Sequence, residues 1–153
     1  MSGTALVIDA QVKGAEQLTQ RLELFANAHS RHELLELMGA EVESQTHRRL
    51  RDEKTNPGGE PWPEWSPEYS ATRHGGHSLL MGEGDLDDSV QFLVTGDEVE
   101  IGSNLVYAAI HQFGGAAVGI NIPEREWLGL SGDNIGDLVD VLDHWANQQL
   151  RCA

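Results

Sequence analysis

Apolar and polar positions alternate along this chain with two periods, and the switches between them outline its elements. Ala5–Ala10 is β-branched at its centre, with Val7 and Ile8, and predicts a short strand ended by Gly14. From Ala15 to Ala28, Leu18, Leu22 and Phe25 recur at helical spacing and predict a helix with one buried face. A second helix is expected from Ser30 to about Lys54, striped by Leu34, Leu35, Met38, Val42 and Leu50. Ser30 followed three residues later by Glu33 has the form of a capping box at its start. The period changes to two over Gln91–Thr95 and Glu98–Gly102. There Phe92, Val94, Val99 and Ile101 alternate with polar neighbours across Gly96–Asp97, which predicts a hairpin. Helical spacing returns in Val106–Phe113, closed by Gly114–Gly115. It returns again in a last helix from the N-cap Ser131 to about Gln149, with Ile135, Leu138, Val139, Leu142 and Trp145 as its expected buried face. Ser78–Met81 is expected as a strand or extended lead-in, and Leu86–Val90 as a helical turn. The sum is an α+β fold: a small, largely antiparallel sheet packed with two N-terminal helices and a C-terminal helix.

Asn56–Pro57–Gly58–Gly59 stops the second helix, and the prolines at 61, 63 and 67 hold the following stretch extended. That stretch carries Trp62 and Trp65, whose rings either pin the loop onto its own domain or stand out as anchors for a neighbour. With 153 residues the chain suits one domain, spanning 1–153, and its 17 glycines suit turns between short elements.

Charge changes the picture. The formal net charge is −15 and it is uneven. Residues 1–56 hold seven Lys/Arg against nine Asp/Glu, while residues 57–153 hold three against sixteen. Such a surface repels nucleic-acid backbones, which argues against a DNA- or RNA-binding domain but not against a protein that DNA passes without sticking. The basic cluster Arg48, Arg49, Arg51 and Lys54 reads as a solvated helix end or as a docking patch for an acidic partner. The lone Cys152 permits no intrachain disulfide, no signal peptide is visible, and no stretch approaches the roughly 18–20 apolar residues of a membrane span.

Candidate chemistry is thin. His32–Glu33 with Glu36 resembles part of a zinc-protease helix, but the position one turn after His32 is Glu36 where a second histidine is needed. His74 and His77 flank two glycines and lack a third ligand fixed by sequence. Glu83, Asp85, Asp87 and Asp88 share only composition with a calcium loop. No phosphate-binding glycine loop or nucleophile elbow occurs. No cofactor is therefore expected, and an enzyme is the weaker reading. Its form would be a small metal-dependent hydrolase using His32, Glu36, His74 and His77. An acidic DNA mimic that blocks a basic host protein is a third reading.

One ordered run remains. It comprises Asn56–Pro57–Gly58–Gly59–Glu60–Pro61–Trp62 with Ser66–Pro67, then Val99 to Ala108 and Ile110 to Gly115, then Ile122–Pro123–Glu124–Arg125 and Leu128–Gly129–Leu130–Ser131. In order and spacing it resembles the phage virion morphogenesis family, which includes the tail-completion proteins of Mu-like and P2-like phages, over about residues 30–148. Two features depart from the family's pattern. Arg125–Glu126–Trp127 stands where relatives usually have Arg-Pro-Phe, and the short loop Ala116–Asn121 lacks the basic residues of many relatives. The resemblance implies a non-catalytic structural role in the virion, assembled in the bacterial host cytoplasm. The protein would complete the tail and join it to the head as a subunit of a neck ring around the DNA channel. The implied partners are further copies of the chain, with a hexamer as the first expectation, and the neighbouring connector and tail proteins. DNA would pass without specific binding, and no membrane is involved. The loops Gly58–Ser66 and Gly114–Trp127 are expected to reach neighbouring subunits. The expected contact residues are Trp62, Trp65, Tyr107, Phe113, Arg125 and Trp127, with core packing the alternative for each aromatic.

Overall fold

The structure, a computed structural model, describes residues 4–8 and 28–151. The helix expected over Ala15–Ala28, all but its last residue, and Cys152 lie outside the described residues. Strand β1 is Thr4–Ile8 and helix α1 is Ala28–Arg48, continued by a π-helical turn over Arg49–Glu53. Short helices α2 (Pro67–Ser70) and α3 (Asp85–Ser89) precede the hairpin of β2 (Gln91–Thr95) and β3 (Glu98–Ser103). Helix α4 (Ala108–Phe113), a 3₁₀ turn over Ala116–Val118 and helix α5 (Gly132–Arg151) complete the order.

The strands form one antiparallel sheet in the order β1-β3-β2, so the expected α+β class is the one observed. Val94 pairs with Val99 and Phe92 with Ile101, which sends all four side chains to the same face. That face packs on α1. Val42 and Leu50 of the α1 region, Val99 and Ile101 of β3, and Trp127 are fully enclosed, with Met38, Trp62, Leu86, Leu128 and Leu138 closing the core around them.

Three local expectations are corrected. Ser30 lies inside α1 and is buried, so it does not cap the helix. Ser78–Met81 is a series of turns, since Met81 N–H donates to Ser78 O at 3.1 Å, and not a strand. On α5, Leu138 and Trp145 are buried as expected, but Ile135 and Val139 are about half exposed. The buried face runs instead through Asn134, Leu138, Trp145 and Ala146. The start of α5 conforms: Ser131 Oγ accepts the Asn134 N–H and Asn134 Oδ1 accepts the Ser131 N–H, both at 3.1 Å, a reciprocal cap.

Gly39 explains how closely α1 approaches the sheet. A Cβ there would lie 2.4 Å from Phe92 Cδ2 and 2.9 Å from Val99 Cγ2. In a helix interior alanine is ordinarily favoured over glycine by about 1 kcal/mol. Here overpacking against the enclosed Val99 and the partly buried Phe92 outweighs that gain. Gly39→Ala is expected to destabilise the protein by about 1–3 kcal/mol, read as a lower urea midpoint. A midpoint at or above the parent's would show that the helix can back away from the sheet at no cost.

Candidate interaction surface

The loops expected to reach outward are mostly tied inward. Asn56 to Glu60 closes on itself: Asn56 N–H donates to Glu60 O, and Asn56 Oδ1 accepts the Glu60 N–H, both at 2.9 Å. Trp62 follows at 3% exposure, and its indole N–H donates to Glu126 O at 3.0 Å. Trp127 is at 0%, with its indole N–H on Ala108 O at 3.0 Å. Both tryptophans therefore belong to the chain's own core and are withdrawn from the expected contact set. Arg125 is withdrawn with them. It is 5% exposed, and its guanidinium donates to Pro63 O at 2.8 Å and Glu64 O at 3.2 Å, joining the two loops. Burial lowers its pKa, with Glu64 opposing that shift.

Gln112 of α4 is the fastening between these parts. Its Oε1 accepts the backbone N–H groups of Trp127 (3.1 Å) and Leu128 (3.0 Å), while its Nε2 donates to Leu128 O at 2.8 Å. One buried amide thus serves three backbone groups that lie outside any helix or strand.

The basic cluster at the end of α1 is likewise spent internally. Arg49 is 1% exposed and donates to Gly129 O (2.8 Å) and Asn134 Oδ1 (2.7 Å), with Trp127 O at 3.5 Å. Arg51 and His47 both bind the buried Asp87, Arg51 Nη2 at 2.7 Å and His47 Nδ1 at 2.7 Å. Lys54 donates to Leu79 O at 2.8 Å and to Leu50 O. Arg48 pairs with Glu53 at 3.1 Å. A docking patch for an acidic partner does not fit cations already engaged in this way. Asp87, one of the acidic run, turns out to be the counter-ion of Arg51.

Nor do the candidate metal ligands gather. His32 pairs with Glu36 at 3.2 Å on α1, while His74 and His77 stack edge-on at 5.4 Å and His77 bonds Glu83 at 3.1 Å. Among the described residues no three His, Cys, Asp or Glu side chains come together as a metal site.

Of the expected contact residues, Tyr107 and Phe113 stay exposed. Residues 101–123 contain no Asp, Glu, Lys or Arg, and within them Val106, Tyr107, Phe113, Val118 and Ile120 are all exposed, Phe113 at 71%. Tyr107 and Trp65 line a cavity of about 710 Å³, whose other walls include Tyr69, Arg73, Leu80, His111 and Arg125. Trp65 is partly buried and packs edge-on to Tyr69 at 5.9 Å. Sequence reasoning missed Tyr69, Arg73 and His111 as neighbours. The one signal within reach was Ser66–Pro67, a cap followed by proline at a helix start, which folds Tyr69 and Arg73 back toward the cavity.

The structure is a small α+β protein whose buried polar side chains fasten its loops, and whose residues 101–123 expose large apolar side chains with no Asp, Glu, Lys or Arg among them. Residues 11–146 match the sequence profile of the phage virion morphogenesis family, and the chain belongs to that family. It is also 31% identical over 123 residues to a protein of Escherichia phage Mu that carries the provisional name capsid assembly protein G, covering 75% of this chain and 79% of the Mu protein. No solved structure matches. The role is accordingly a structural one in phage virion assembly. Among the described residues no helix is long and apolar enough to cross a membrane.

Gln112→Leu would leave two backbone N–H groups and a carbonyl buried without partners. The expected loss is about 3 kcal/mol of unfolding free energy, measured by urea denaturation. A loss under about 0.5 kcal/mol would mean that water replaces the amide freely. His111 supplies a pH dependence. Burial, then the nearby Arg125, lowers its pKa below the ordinary histidine value of 6.5. The unfolded chain therefore takes up this proton first, and the His111 contribution is full above about pH 6.5 and is lost as pH falls through the folded value. Between about pH 7.5 and pH 5.5 the His111→Gln variant should lose less stability than the parent. Equal losses would place His111 in contact with water.

Proposed function

We propose that the protein completes the phage tail and joins it to the DNA-filled head, as a non-enzymatic subunit of a neck ring around the DNA channel. The observation that carries this reading is family membership combined with surface chemistry. A chain of net charge −15 keeps residues 101–123 free of charge and exposes large apolar side chains there. Neutral apolar strips are where strongly acidic subunits can approach each other or a neighbour without like-charge repulsion. Head-to-tail repetition of one such contact closes into a ring, and six-fold symmetry is the first expectation. The acidic remainder of the surface suits a channel wall, where it repels phosphates and keeps DNA from arresting. No cofactor is needed for such a role, since the work is done by binding alone.

The name of the Mu relative favours a second reading, an earlier part in building the head. Electron microscopy of particles from a phage carrying a stop codon in this gene separates the two. Full heads beside separate tails of normal length are the expected result. Normal tails with missing or malformed heads would favour the capsid reading. Intact virions would remove both.

A further inference from the structure

The cavity beside α4 and Phe113, whose ring is more exposed than any other Phe, Tyr or Trp among the described residues, complement each other. The cavity is walled by Trp65, Tyr69, Leu80 and Tyr107, and its volume of about 710 Å³ is ample for a large side chain with some backbone. Two polar atoms of its lining residues, Arg73 Nε and His111 Nδ1, are buried without a hydrogen-bond partner. Such atoms are costly unless something supplies a partner. The Arg73 guanidinium already lies over the Tyr69 ring, 4.3 Å from its centroid. Burial and Arg125 favour the neutral form of His111, which asks for a neutral partner rather than a carboxylate. Glu64, Glu83 and Asp85 also line the cavity and oppose an acidic guest, while Arg73 and Arg125 on the same walls oppose a basic one. The fitting guest is therefore uncharged, apolar at its tip and able to offer backbone carbonyls.

Residues 113–122 of this same chain have that composition. They carry no charge, they place Phe113 at 71%, Val118 at 65% and Ile120 at 43% exposure, and the loop is held in shape by Gly115 N–H on Ile122 O (2.9 Å) and Ile120 N–H on Gly115 O (3.0 Å). Gly115 is required there, because a Cβ would fall 2.4 Å from Ile120 O. Phe113, Val118 and Ile120 are not among the residues lining the cavity, although Asn121 and Ile122 at the end of the loop form part of its rim, so the guest side chains are distinct from the host's walls.

We propose that Phe113 and the Val118–Ile120 tip of one copy seat in the Trp65–Tyr69–Tyr107 cavity of the next copy, a head-to-tail contact. This rests on the ring reading above and names the contact that would build the ring. Two unlike patches meeting in sequence generate a closed ring or a filament and not a two-fold dimer.

The test uses the full chain and two variants that each spoil one side. Phe113→Asp puts a charge on an exposed tip, and Tyr69→Glu removes a half-exposed wall while giving Arg73 an internal partner. Thermal unfolding of both is expected to stay near the parent's, because neither residue is buried. In sedimentation velocity over rising protein concentration, the parent self-associates and each variant alone does so about 30-fold or more weakly. An equimolar mixture of the two forms a dimer, since the sound tip of the Tyr69→Glu chain meets the sound cavity of the Phe113→Asp chain. Parent-like association of Phe113→Asp overturns this contact and leaves the ring reading standing. Two weakened variants whose mixture makes no dimer also overturn it, in favour of a two-fold contact between like patches. A parent that stays monomeric at millimolar concentration overturns self-seating altogether, while the particle experiment still judges the ring.

Discussion

The guanidinium of Arg49 sits at the point where α1 widens into a π-helical turn, and the C-terminal half of the fold is hung from it. Taking a charged group out of water costs several kcal/mol even after relaxation, and burial pulls the Arg49 pKa down for that reason, with Glu53 and Glu126 opposing. The cost is offset because the planar fork meets acceptors on both sides. Gly129 O lies on one and Asn134 Oδ1 on the other. Asn134 Oδ1 is also half of the reciprocal cap that starts α5. One side chain therefore fixes the entry of the last helix, the path of the segment before it, and the angle at which α5 meets α1. Gln45, one turn earlier, adds a second tie, with its Nε2 at 3.2 Å from Asn134 O and from Asp137 Oδ2.

Once that segment is fixed, Trp127 is carried into the core, and the rest of the loop layer follows. Gln112 grips the backbone at 127 and 128, Trp62 bonds the carbonyl of Glu126, and Arg125 reaches back to the carbonyls at 63 and 64. The Pro-rich stretch and the segment before α5 are thus held by side-chain-to-backbone bonds where no sheet or helix could hold them. Rigid loops of this kind suit a surface that must dock, because little conformational entropy is left to lose on association. Among the described residues Arg48, Arg49, Arg51, Lys54 and Arg125 all have internal partners. All 25 Asp and Glu and all 10 Lys and Arg of the chain fall outside residues 101–123.

Much of this was legible in the residues. The two periods of the apolar pattern located α1, the hairpin and α5, because burial on one face of a helix or a strand demands them. The ordered markers from Asn56 to Ser131 carried the family, and Ser131 announced the start of α5. Tertiary structure alone decided what the ambiguous side chains do. A tryptophan between prolines has equal apolar area whether it faces its own core or a neighbour, so nothing local could separate the buried Trp62 from a docking residue. Arg49 and Arg51 are near neighbours in one basic run, yet one is enclosed while the other stays half exposed and reaches the buried Asp87, which depends on elements some 35 to 85 residues away. Ile135 and Val139 have the spacing of a buried face, but the angle of α5, set by Arg49 and Asn134, turns them outward. The cavity, too, is assembled from three separated segments, and no periodicity records a space between elements.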